Sequence, residues 1–309
     1  MSLIRPFLVS LCLGLVVCLP ANASNLVTGN GFGFGVVSPS TGTITKFYAH
    51  PYSFLRPDPR DPLSEGIPAA SFIKELGWRN PAADHSSADY QDDSQVIRIH
   101  RSDDQGLCFM PFGFAHAALI VSWQPLSSQA THAAFHVEWT HPVRSQRALR
   151  VSGVTFHQLQ FNGLDESLLL IPLGQSTGQA PTPSQPLAAS RAWALIALEK
   201  ADQPVPIAKD FLRWQAGLSP QALAQREIAD LEHWRVRPTI HFASETERHL
   251  WRQSEVMLRI AQSREPNRPA GPNQPARYGN GLIVASLPDG LWFTPWVRDM
   301  AWATVALAR

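Results

Sequence analysis

The residues with the clearest chemical purpose lie late in the chain, in Trp292-Phe293-Thr294-Pro295-Trp296-Val297-Arg298-Asp299. Together they suit the recognition of a sugar. A pyranose presents vicinal hydroxyls on its rim and an apolar C–H face. A guanidinium offers a fixed fork of donors, and a carboxylate accepts two hydroxyl protons. An indole adds a flat apolar platform with one polar edge. Trp296, Arg298 and Asp299, at the mouth of a helix, supply all three. A plainer reading of the same residues is open as well: Asp299 favours a helix N-terminus, and Arg298 pairs with some carboxylate.

Other chemistry-bearing groups read as structure. His132, His136, Glu138 and His141 contain metal-ligand types, but a strand here puts Ala133, Phe135, Val137 and Trp139 on the core face and His132, His136 and Glu138 on a solvated one. The spacing is not that of a zinc-binding helix, and no metal site is expected. Asp84, Asp89, Asp92 and Asp93 lack the glycine turn and terminal glutamate of a calcium loop and read as a hydrated loop. Asn30-Gly31-Phe32-Gly33-Phe34-Gly35 is superficially like a phosphate loop, but its spacing is wrong and no helix follows. Alternating glycine instead suggests a strand that another backbone approaches closely. No cofactor is implied.

The whole chain is a globular one. Its 309 residues are 44% hydrophobic and 17% charged, and 26 Lys+Arg against 25 Asp+Glu leave a formal charge of +1. That balance excludes a disordered chain and lacks the basic footprint of a nucleic-acid binder. Arg5, the apolar run Phe7 to Leu19 and Ala21-Asn22-Ala23 before Ser24 make residues 1–23 a secretory signal peptide cleaved between Ala23 and Ser24. No later apolar run is long enough for a spanning helix, so no membrane anchor is expected once the signal is removed. The protein is expected to be secreted or periplasmic. Cys12 and Cys18 leave with the signal. Cys108 remains alone in the apolar run Leu107-Cys108-Phe109-Met110, as a buried, inert thiol.

The elements that position the late motif change character near residue 219. Residues 24–218 read as a β-sandwich domain, with strands at Val96–His100, Ala118–Trp123, Leu168–Ile171 and Ala192–Leu198 separated by turn residues. The stretch 174–186 reads as an exposed loop. Ser219-Pro220 then caps a helix within 219–240, expected to act as a linker. Ser244-Glu245-Thr246-Glu247 is a capping box opening a helix of about five turns, with Leu250, Met257, Leu258 and Ala261 on one face. Residues 264–281, rich in Pro and Gly, form a long surface loop. From Asp299 an apolar helix begins. Its pattern is still running at Arg309, so the domain over 241–309 is expected to be incomplete.

Gly281-Leu282-Ile283-Val284-Ala285-Ser286 followed by Trp292 and Trp296-Val297-Arg298-Asp299 resembles the start of the catalytic domain in glucoamylase-like enzymes (glycoside hydrolase family 15, within the six-hairpin glycosidases). Gly281, Ala285, Ser286, Trp296, Arg298 and Asp299 match that pattern, and Trp292 stands where the family commonly has Tyr. Trp251-Arg252-Gln253-Ser254 is similar to part of the first barrel helix. Ser286 departs from the pattern in being followed by Leu287-Pro288 rather than directly by Pro.

The resemblance implies an N-terminal β-supersandwich, a linker helix and the beginning of an (α/α)6 barrel. It implies an exported glycoside hydrolase that inverts terminal α-glucosidic bonds in an oligosaccharide or polysaccharide. Trp292, Trp296, Arg298 and Asp299 would then hold the terminal sugar. One glutamic acid would protonate the leaving oxygen and a second would activate water, across roughly 6.5–9.5 Å. Both are expected beyond Arg309, so no catalytic residue is assigned within the chain. Glu245, Glu247 and Glu255 read as capping and solvated residues. The alternative is a non-catalytic carbohydrate-binding exported protein with the same fold.

Overall fold

The computed structural model describes residues 25–48, 55–56, 67–68, 71–79, 86–102, 104–126, 134–173, 187, 190–200, 202–236, 241–271, 278–284, 287–288 and 297–307. The signal segment 1–23, its Ala23–Ser24 junction, His132, the loop 174–186, Trp292 and Trp296 lie outside these residues. Strands come first, in the order β1 (Leu26–Gly29), β2 (Phe34–Val37), β3 (Ile44–Tyr48), β4 (Leu55–Arg56), β5 (Ile67–Pro68), β6 (Ile73–Arg79), β7 (Ser86–Tyr90) and β8 (Ile97–Arg101). They continue with β9 (Asp104–Phe109), β10 (Ala118–Pro125), β11 (Ala134–Trp139), β12 (Val143–Val151), β13 (Val154–Phe161), β14 (Ser167–Pro172) and β15 (Ala192–Leu198). Four helices follow among the described residues: α1 (Pro204–Gln215), α2 (Pro220–Trp234), α3 (Glu245–Ala261) and α4 (Val297–Leu307).

Pairing is antiparallel throughout the two main sheets. One has the order β1-β2-β3-β6-β11, the other β12-β13-β14-β15-β10-β9-β8-β7, and β4 pairs with β5 apart from them. Period-2 geometry sends alternate side chains to opposite faces, and β10, β14 and β15 are apolar on both. Leu119, Val121, Leu168, Leu170, Trp193 and Leu195 fill the core between the sheets, where they meet Phe47, Leu76 and Phe135 of the smaller sheet. Ile120, Leu169, Ile171, Ala194 and Ile196 face the other way, onto Ile207 and Phe211 of α1 and Leu223 and Ile228 of α2. These strands read as continuous apolar runs because both faces are covered. Cys108 is fully buried in the inter-sheet core, and burial pushes its thiol pKa up.

The helices differ from expectation in two ways. Helical structure begins at Pro204, before Ser219, and α1 lies on the large sheet within the stretch read from sequence as strands and turns. The helix expected over 219–240 runs Pro220–Trp234, with the Ser219 hydroxyl accepting from Ala222 N as its cap. In α3 the box at Ser244 forms: its hydroxyl accepts from Glu247 N at 3.1 Å. The return bond of Glu247 reaches the amide of Ala243, at 2.6 Å. The apolar face of α3 is rotated from the expected one. Val256, Ile260 and Ala261 are buried, whereas Leu250 is 61% exposed.

The hydrated-loop reading of the acidic segment is corrected at Asp93, whose carboxylate is mostly buried. It receives Arg248 at 3.1 Å and meets the His249 ring, tying the turn after β7 to the first turns of α3. Asp89 sits across from Arg98 and pairs with both Arg98 and His100.

The glycine-rich turn works as the alternation suggests, by close approach. A Cβ on Gly33 would lie 2.5 Å from the Tyr48 carbonyl oxygen, and one on Gly35 2.7 Å from Leu119. Gly31 has φ +80°, and a Cβ there would lie 2.7 Å from the Gln262 carbonyl oxygen. Gly31→Ala combines a left-handed backbone with a backbone clash. It is expected to cost about 2 kcal/mol, read as a lower urea midpoint at unchanged slope.

Candidate functional site

The late motif is built on α3, α4 and the strand-like segment between them. Ser263 N donates to Leu282 O and Gly281 N to Ser263 O, each at 2.8 Å, and Val284 N reaches Ala261 O at 3.2 Å. This short ladder closes the neck of the 264–281 loop. Asn280 adds a side-chain bond to Glu265 O at 3.0 Å. Gly281 takes φ +84° in open space, so the backbone turn alone selects glycine there. Ile283 and Val284 enter a third core with Val27, Phe34, Val36, Val256 and Ile260.

Alanine-rich α4 packs Met300, Ala303 and Leu307 onto that third core, at i, i+3 and i+7. Its other face carries Trp302, 74% exposed, and Val305. Arg298 and Asp299 fall in the first turn, Asp299 half-buried where the N–H groups and dipole of a helix favour a carboxylate. The helix mouth thus joins Arg298 and Asp299 in one turn. Trp292 and Trp296 precede it, outside the described residues. Glu255 engages in pairing rather than chemistry: it accepts from Trp251 Nε1 at 3.0 Å and Arg252 at 3.1 Å, and meets Arg235 at 3.4 Å. Glu245 pairs with Arg248 at 2.7 Å.

A buried polar seam that sequence reasoning missed fastens this helical part to the sheets. Glu227 of α2 is 3% exposed and accepts from Gln95 Nε2 at 2.6 Å and Phe112 N at 3.0 Å. Its pKa is pushed up to about 7, chiefly by desolvation. The Phe112 amide, Arg259 and Gln95 oppose that rise. Arg259 lies 4.0 Å over the Phe112 ring and 4.7 Å over Trp234. Arg264, at the exit of α3, sits 5.1 Å over Phe112 and 5.3 Å over Phe32, and donates to Phe112 O at 2.5 Å and Asn30 O at 3.3 Å. Burial pulls both guanidinium pKa values down and Glu227 pulls them back. Gln95 and Phe112, which Glu227 bonds, and Asn30 and Phe112, which Arg264 bonds, lie more than a hundred residues away in β-rich segments, so no local pattern announces the seam. Glu227 and Arg264 converge on the Phe112 backbone from two sides, through its N–H and its carbonyl, and the arrangement is that of a fastening.

Beside the seam lies a cavity of about 130 Å³ lined by Phe32, His116, Glu199, Asp202, Glu265 and Arg268. Arg268 pairs with Glu199 at 2.9 Å, and burial pulls the His116 imidazole down. Among the described residues no group of three His, Cys, Asp or Glu side chains is arranged to hold a metal ion.

No protein-family model and no curated protein matches the chain. Among solved structures, a bacterial glucoamylase complexed with acarbose is similar to it with a TM-score of 0.45 and 11% identity, over 76% of this chain and 40% of that one. The chain spans less than half the length of that enzyme.

Proposed function

We propose that the chain is the N-terminal part of an exported glycoside hydrolase of the glucoamylase type, acting on α-linked glucans. The observation that carries this reading is Arg298-Asp299 in the opening turn of α4, two residues after Trp296 in sequence. The fork of Arg298 would grip two hydroxyls of a terminal glucose, and Asp299 would accept from two more or from one of the same pair. Trp296 would cover the C–H face, with Trp292 beside it. In this reading α3 and α4 belong to an (α/α)6 barrel, the two-sheet part is the supersandwich, and residues 1–23 direct export. The acid and base of an inverting hydrolysis are assigned to no residue here.

Calorimetric titration with maltotriose tests the proposal. Arg298→Ala and Asp299→Asn are each expected to weaken binding about tenfold to a hundredfold, the loss of one or two charge-assisted bonds. Unchanged affinity in both variants would overturn the assignment. A pair of glutamates on further barrel helices is what separates the hydrolase from the non-catalytic carbohydrate-binding protein.

A further inference from the structure

From an amide-lined cleft remote in sequence from α4, we infer a second, weak carbohydrate site on the large sheet, for a single neutral sugar ring. The cleft holds about 170 Å³ and is lined by residues of α2 and of the sheet. Gln105 of β9 and Gln124 of β10 are direct cross-strand partners, Arg98 follows on β8, and Gln91 comes from the turn after β7. Gln221 and Gln225 close it from α2, where i and i+4 share a helix face.

Five side-chain amides thus meet in one concave place. Each amide carries donors and an acceptor side by side, the pairing that vicinal hydroxyls need because each hydroxyl donates and accepts. Gln124 Oε1 accepts from Gln221 Nε2 at 3.2 Å, and Gln91 Nε2 donates to Asp92 at 3.1 Å. The amides of Gln105 and Gln225 make no such bond to another described residue and remain available to a ligand. The cleft has little net charge, since the Arg98 guanidinium is paired with Asp89 at 3.3 Å. That disfavours an anion or a cation. Leu107 and Ala224 give it an apolar floor for a C–H face. The volume corresponds to roughly half a dozen water molecules at ~30 Å³ each, enough for one ring. Without an aromatic platform the affinity is expected to be millimolar.

The inference stands apart from the α4 proposal, and its test separates the two. Glucose and maltose are titrated into the full chain while the side-chain amide resonances of Gln105 and Gln225 are followed by NMR. Both are expected to shift saturably. Gln225→Ala, an exposed helix position, should weaken the effect about fivefold to tenfold. Gln105→Leu should do the same, and Asp299→Asn should leave it unchanged. The inference is overturned if neither resonance shifts saturably, or if the shifts persist undiminished in both glutamine variants. It is overturned equally if Asp299→Asn alone abolishes them, an outcome that would leave the α4 proposal standing.

Discussion

Arg264→Ala is expected to detach α3 and α4 from the sheets while leaving the sandwich folded. The side chain donates to two carbonyls, Asn30 O and Phe112 O, and lies over two rings. Truncation leaves both carbonyls without their cationic donor and two aromatic faces without their cover. A bond to a charged group contributes about 1.5–3 kcal/mol, and a partly desolvated cation–π contact about 1 kcal/mol. The terms are not additive, so about 3 kcal/mol is the expected cost. Native-state hydrogen exchange should show amides of α3 and of Gly281–Val284 opening roughly a hundredfold faster. Those of β10 and β15 should keep their protection. Arg264→Lys retains the charge without the fork and should fall between. Uniform loss across the sheets would show that Arg264 does not serve as a local fastening.

The second large effect is on pH dependence, through Glu227. Its folded pKa of about 7 stands above the ordinary carboxylate value of 4.5. Between those values the folded state holds a proton that the unfolded state has released. The contribution is therefore fully present below pH 4.5 and is lost as pH rises through 7, because the ionised carboxylate is then buried. At 1.36 kcal/mol per pKa unit the swing is about 3 kcal/mol. Glu227→Gln removes the titration and nearly preserves the shape. Denaturant midpoints of the two proteins should converge or cross between pH 4.5 and 8, the variant gaining about 3 kcal/mol on the parent. A constant difference across that range would place the ionised form in the folded state throughout.

Much of the sandwich was legible because its signals are local. Buried Phe135 and Val137 alternate with exposed Glu138, Ser219 precedes Pro220, and Ser244 stands three residues before Glu247; each pattern lies within a few residues of the backbone it governs. α1 escaped because Gln203 makes no side-chain cap and prolines at 204 and 206 suggest a turn. The face of α3 was misjudged because periodicity gives a stripe but not its partner. Leu250 has the right spacing but remains exposed, while Val256 and Ile260 meet the glycine-rich hairpin. The seam was invisible for a related reason. Glu227 finds Gln95 across 132 positions of sequence. In the late motif, sequence chemistry suggested a helix mouth, and α4 opens at Val297 with Arg298 and Asp299 in its first turn.

The most direct test of the sugar-holding role is the indole N–H resonance of Trp296, assigned by its loss in Trp296→Phe, during titration with maltotriose. A saturable shift is expected that disappears in Arg298→Ala, with the fold intact by circular dichroism. Maltotriose binding that leaves the Trp296 indole unmoved, or that moves it equally in Arg298→Ala, would contradict a sugar-holding role for Trp296 and Arg298.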